Sequence, residues 1–185
     1  MTTRRTQSSV LKLTAAGLLT AIGIMIPMFS PLRFVMGAAS YTPASHVAIF
    51  VAMFISPWVA VLVTFGTTLG FFLGGFPPVI VFRAASHIVF IIIGSYYLTK
   101  INKEQISPVH LRVFSIVIAL IHAFAEVVAV FVYYLIAGVP ATQGVMWVLG
   151  FIGLGTIIHS LFDFELANAV RLVLRRQKFY IRLSQ

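Results

Sequence analysis

Five long apolar blocks make up most of this chain: 13–28, 44–74, 79–98, 113–137 and 145 to about 170. A helix needs roughly 20 apolar residues to cross the hydrocarbon core of a bilayer, and open strands cannot cross because their backbone polar groups would go unpaired. The blocks therefore predict an all-α integral membrane bundle. Composition excludes a soluble globule, because 60% of the 185 residues are hydrophobic and 9% charged. Too little polar surface remains to coat one. No polar stretch is long enough for a catalytic or nucleotide-binding domain, and no G-x-x-x-x-G-K-[ST] phosphate loop occurs, so energy must come from a partner or a gradient. The absence of cysteine removes disulfides, thiolate metal sites and a cysteine nucleophile.

Charge sets the topology. The net charge of +9 sits mostly at the two ends and in one central loop, which reads as membrane orientation and not as a nucleic-acid surface. Arg4, Arg5 and Lys12, then Lys100, Lys103 and Arg112, then Arg171, Arg175, Arg176, Lys178 and Arg182 mark cytoplasmic segments. An even number of crossings must separate the first two groups, so the second block divides at Ser56-Pro57. The expected spans are approximately 11–29, 44–56, 58–74, 79–99, 112–137 and 145–170, six helices in a single membrane domain with both termini cytoplasmic. The basic start resembles a signal peptide, but hydrophobicity continues with no small-x-small cleavage site, and the first span is expected to remain. The 44–56 span is short, implying tilt, local thinning or shielding by neighbours. The outer connections, 30–43, 74–78 and 138–144, are nearly uncharged apart from Arg33. No internal repeat is evident.

A rise of about 1.5 Å per residue converts position into depth. Arg83 falls about 6 Å and His87 about 12 Å below the outer surface, on one helix face. On the fifth span Tyr133 lies about 6 Å and Glu126 about 16 Å deep. His46 opens the second span, Gln143 and Trp147 the last, so seven polar or aromatic groups share the outer half of the membrane. Ionisable groups inside spans mark substrate sites by default. A small anionic ring compound suits this set: Arg83 offers a planar fork for a carboxylate, His46 or His87 a donor, Tyr133 or Trp147 a stacking face. Glu126 can orient a histidine or accept from a protonated ring nitrogen, and Arg33 stands in the headgroup region within reach of ligand. The plainer alternative is an Arg83–Glu126 ion pair between helices and an interfacial Trp147.

His122 and Glu126, like His159 and Asp163, are spaced four apart. Such pairs can ligate metal, but interhelical hydrogen bonding is the preferred reading, and neither metal nor cofactor is expected. The two histidines are expected nearer mid-bilayer than the outer set, and Asp163 and Glu165 close to the cytoplasmic rim. Two small-residue faces complete the pattern. Gly17-x-x-x-Ala21 lets another helix approach closely, and Gly66-x-x-x-Gly70-x-x-x-Gly74 suits packing inside the bundle.

Six helices in so short a chain, a small-residue first helix and no ATPase resemble the substrate-binding S component of an energy-coupling factor (ECF) vitamin transporter. The segments Ala39-Ser-Tyr-Thr-Pro-Ala-Ser-His46, Ile49-Phe-Val-Ala-Met-Phe-Ile-Ser-Pro57 and Gly75-Phe-Pro-Pro-Val-Ile-Val-Phe-Arg-Ala-Ala-Ser-His87 resemble the branch of that family assigned to niacin. The resemblance implies a cell-membrane protein that is not an enzyme. It implies ligand bound on the outer side by residues 30–43 and the later helices. It also implies a first helix that docks onto a coupling membrane protein carrying two ATPase subunits. The family's docking motif is Ala-x-x-x-Ala, and this chain has Gly17-x-x-x-Ala21 in its place. Close relatives are assigned to pyridoxine or other vitamin precursors, and a nicotinate carboxylate is what Arg83 favours.

Overall fold

The computed structural model describes residues 2–103, 105–139 and 144–177, with side chains from residue 7 onward. Gln143, Lys178 and Arg182 lie outside the described residues. Six helices form the bundle: α1 (Thr2–Phe29), α2 (Val47–Ile55), α3 (Pro57–Leu73), α4 (Pro78–Thr99), α5 (Pro108–Ile136) and α6 (Val145–Leu174). Of these α1, α4, α5 and α6 are long and apolar enough to cross a membrane. Proline stands in the first turn of α3, α4 and α5, where its missing N–H is no loss. Ser56 and Ser107 cap α3 and α5 by accepting from Val59 N and His110 N.

The polarity of the bundle is that of a protein dissolved in lipid. Phe65, Phe124 and Leu135 are 68%, 71% and 74% exposed, whereas Arg83, His87, His122, Glu126 and Asp163 are buried. In lipid the apolar exterior costs nothing and polar side chains face inward. The chain is a multi-pass all-α membrane protein.

α2 has nine residues and so is about 13 Å long, less than half of a ~30 Å hydrocarbon core. Every residue from Ala48 to Ile55 is buried. Shielding by neighbours is thus what lets so short a helix stand where a span was expected. Opposite charges hold its two ends. At the start, Asp163 of α6 accepts from the backbone N–H groups of Ala44 and His46, at 2.7 and 2.9 Å. At the end, the Lys103 ammonium donates to the carbonyl of Phe54 at 3.0 Å. Each charge opposes the helix dipole and satisfies terminal groups that no helical partner reaches.

Residues 30–43, expected as a plain loop, contain an antiparallel hairpin of β1 (Phe34–Met36) and β2 (Ala39–Tyr41), with Met36 opposite Ala39. Gly37, at φ +58°, makes this two-residue turn possible. The chain then enters α2 through Ala44, whose φ of 68° is costly for a residue with a Cβ. α6 departs from regularity too: residues 148–154 form a π-helical stretch. The phenol of Tyr41 donates to the carbonyl of Phe151 there. Gly155 clears the approach, since a Cβ on it would stand 2.6 Å from the Tyr41 oxygen.

The two small-residue faces separate in space. A Cβ on Gly66 would stand 2.6 Å from Thr20 Cγ2, one on Gly70 2.2 Å from Ile24 Cδ1, and one on Gly74 3.3 Å from Met28 Cε. This stripe of α3 is therefore the seam for α1, met by residues 20, 24 and 28 at the same four-residue spacing. Gly17 and Ala21 are exposed, and a Cβ on Gly17 would have nothing within 4 Å.

Candidate functional site

The site is built around the buried start of α2. His46 stands at its N-cap, and its ring meets those of His87, His122 and His159 at centroid distances of 4.8, 4.8 and 4.9 Å. Four imidazoles from four helical elements thus share one buried cluster. Two carboxylates serve it. Asp163 Oδ2 lies 3.1 Å from His46 Nδ1 and 3.4 Å from His159 Nε2. Glu126 Oε1 lies 3.1 Å from His87 Nε2 and 3.5 Å from His122 Nε2.

Arg83 lies on the outer flank of the cluster. Its Nη2 donates to Glu126 Oε2 at 2.8 Å and its Nη1 to the hairpin carbonyl of Ala38 at 2.8 Å. Thr156, in the turn after the π-helical stretch, donates to the same Glu126 oxygen. Tyr41 lies beneath the guanidinium, 5.3 Å from ring to Cζ, and burial raises its phenol above the ordinary value, so it stays a neutral donor. Removing one member of a buried ion pair strands the other, a loss of about 3–5 kcal/mol. The arginine, glutamate and hairpin are therefore mutually fixed.

A cavity of about 50 Å³ opens beside this pair, lined by Ser40, Thr42, His46, Phe71, Phe76, Arg83, His87 and Glu126 among others. It is well below the ~300–1,000 Å³ of small-molecule pockets. Larger hollows lie elsewhere, about 260 Å³ between α4 and α5 and about 290 Å³ near Arg112 and Arg175. The first is almost wholly apolar and the second is lined by Arg112, Glu165, Asn168, Arg171 and Arg175, away from the histidines, so the small cavity is the one that meets the histidine cluster.

Four sequence-derived candidates, Arg83, His87, His46 and Glu126, are brought together here. Three are not part of the lining. Tyr133 packs against Phe82 at 5.7 Å, and Trp147 stacks on Phe151 at 5.5 Å. The Trp147 ring also covers Gly37, 3.5 Å from where a Cβ would be. Arg33 lies over the Phe76 ring at 5.9 Å. The aromatic walls of the cavity are Phe71 and Phe76, stacked at 4.5 Å, which apolar patterning alone does not distinguish from lipid-facing phenylalanines.

Two depth expectations are corrected. His122 and His159 join the outer set and do not form a deeper, separate layer. Asp163 is not at a solvated rim but fully buried, because the unpaired N–H groups at the start of α2 give it partners inside the bundle. Glu165 is exposed, in keeping with the rim reading. Of the two histidines expected to make interhelical hydrogen bonds, His122 bonds Ser160 of α6 through Nδ1 and His159 bonds Ser45, just before α2, through Nε2.

A lipid-embedded helical bundle that gathers an arginine, two carboxylates and four histidines around a buried cavity has the build of a membrane carrier component. The chain is 35% identical over 175 residues to the niacin transporter NiaX of Lactococcus lactis subsp. cremoris, covering 94% of this chain and 79% of that protein. It belongs to that family, the non-enzymatic S components of ECF vitamin transporters, and is thus a cell-membrane protein of vitamin uptake. No family model and no solved structure matches the chain.

Proposed function

We propose that the chain binds niacin, as nicotinate, in the cavity beside Arg83 and carries it across the membrane. In this reading ATP hydrolysis by two partner ATPases reorients it, through a coupling membrane protein docked on α1. The observation that carries the substrate is the state of Arg83. This buried guanidinium gives Nη1 to a neutral carbonyl, Ala38 O, and its Nε has no hydrogen-bond partner among the described residues. A carboxylate taking the place of that carbonyl gains charge-assisted bonds, roughly twice as strong as neutral ones.

Exchange of this kind frees the hairpin from Arg83, enlarging a cavity that is otherwise too small for the ring. His46 and His87 then flank the ring, Phe71 and Phe76 form a stacking wall, and Glu126 keeps Arg83 in place through Nη2. Arg33 serves as a cation at the rim over Phe76. Trp147 and Tyr133 act through packing, with Trp147 clamping the hairpin at Gly37. The NiaX relationship supports niacin, and the open Gly17/Ala21 face supports α1 as the docking helix.

Calorimetric titration of the purified chain tests the substrate. Nicotinate is expected to bind tightly, with nicotinamide rejected because it lacks the carboxylate and pantothenate because its acyclic chain cannot stack. Tight pyridoxine binding would overturn niacin as the cargo, and silence from every vitamin would remove the binding role.

A further inference from the structure

We infer that His46, His87, His122 and Glu126 form a binding site for one divalent transition-metal ion, of the Zn2+ class, beneath the cavity. One donor atom from each lies within 4.8 Å of the others. The two separations to Glu126 Oε1, 3.1 Å from His87 Nε2 and 3.5 Å from His122 Nε2, bracket the edge of a tetrahedron with bonds of about 2.0–2.1 Å, which is about 3.3–3.4 Å. Three imidazoles and a carboxylate suit zinc, nickel or cobalt and not magnesium or calcium, which take oxygen shells.

Three further features point to an ion. His122 Nε2, fully buried on a residue with 0% exposure, makes no hydrogen bond among the described residues. A hydrogen-bonding role for this cluster leaves that nitrogen orphaned, at a cost that a metal bond removes. The far sides of two rings are held as metal-ligating histidines usually are. His46 Nδ1 is 3.1 Å from Asp163 Oδ2 and His122 Nδ1 is 3.2 Å from Ser160 Oγ. That leaves Nε2 as the atom each can offer.

Charge is the third. Among the described residues the buried charged ones are Arg83, Glu126, Asp163 and Arg171, and Arg171 lies over Phe54 at the other end of α2. With neutral histidines the cluster carries two carboxylates against one guanidinium, a net charge of −1 in a low-dielectric interior. A divalent cation changes this to +1. On the niacin reading, which this last step alone rests on, a bound nicotinate brings the sum to zero, whereas without the ion it would bring it to −2. The metal site itself stands whatever the vitamin is.

The test uses the purified chain in detergent, stripped with chelator and titrated with Co2+ by visible absorption and with Zn2+ by calorimetry, Mg2+ serving as a hard-ion control. One Zn2+ per chain is expected, displacing a four-coordinate Co2+ band. His122→Ala abolishes it, and Ser160→Ala, the milder change, weakens it about 10- to 100-fold. His110→Ala, outside the cluster, leaves it intact. Absence of the Co2+ band in the unaltered protein, or equal affinity in all three variants, overturns the site. Stoichiometric Zn2+ binding with no nicotinate binding keeps the site and removes niacin. Nicotinate binding unaffected by chelator, with no Co2+ band, does the reverse.

Discussion

Gly17 and Gly70 read alike in sequence, each part of a small-x-x-x-small face, but they must respond oppositely to a single methyl group. A Cβ on Gly70 would stand 2.2 Å from Ile24 Cδ1 and 2.5 Å from Cγ1. The closer contact falls short of an ordinary carbon–carbon separation of about 3.5 Å by about 1.3 Å. Either Ile24 leaves its rotamer or α1 and α3 part, and overpacking of this size costs about 1–3 kcal/mol. Gly70→Ala should therefore lower the thermal midpoint in detergent by about 2–4 °C for each kcal/mol lost. Gly17→Ala, with nothing within 4 Å, should leave it unchanged or raise it slightly through better helix propensity. Ile24→Ala removes the obstructing atoms, so the double variant should recover part of the loss, with a coupling of about 1 kcal/mol or more. Equal midpoints for the two glycine variants, or strict additivity with Ile24→Ala, would refute the seam and the argument from close approach.

Other consequences follow from the site and from α2. Arg83→Ala should abolish nicotinate binding in calorimetry, and Arg83→Lys should bind far more weakly because an ammonium has no planar fork; unchanged affinity in either would sink the carboxylate role. Gly17→Leu should block vesicle uptake driven by partner ATPases while leaving binding intact, whereas loss of binding would move this face into the bundle. Lys103→Met strips the carbonyls ending α2 of a charged partner and should cost about 1–3 kcal/mol of stability in thermal unfolding, an effect absent if water replaces the ammonium freely. Tyr41→Phe removes the donor to Phe151 that pins the hairpin to α6, so hydrogen exchange at residues 34–41 should rise; unchanged protection would show that Trp147 packing suffices.

Much of this protein is fixed locally and can be read from its residues. Apolar block length and loop charge specify a six-helix membrane bundle because bilayer thickness is a one-dimensional constraint, met residue by residue along the chain. Depth counting put Arg83, His87 and Glu126 in the same half of the membrane for the same reason, and His46 at the start of α2. What it could not specify is which faces meet. Asp163 belongs to the cluster only because α2 starts inside the bundle with unsatisfied N–H groups, and His122 and His159 face His46 only through the packing of α5 and α6 against that helix. Gly70 and Gly17 differ only in whether another helix covers them. Burial of charge, and the choice between a seam and an open face, depend on contacts between residues distant in sequence, and those contacts exist only once the helices have packed.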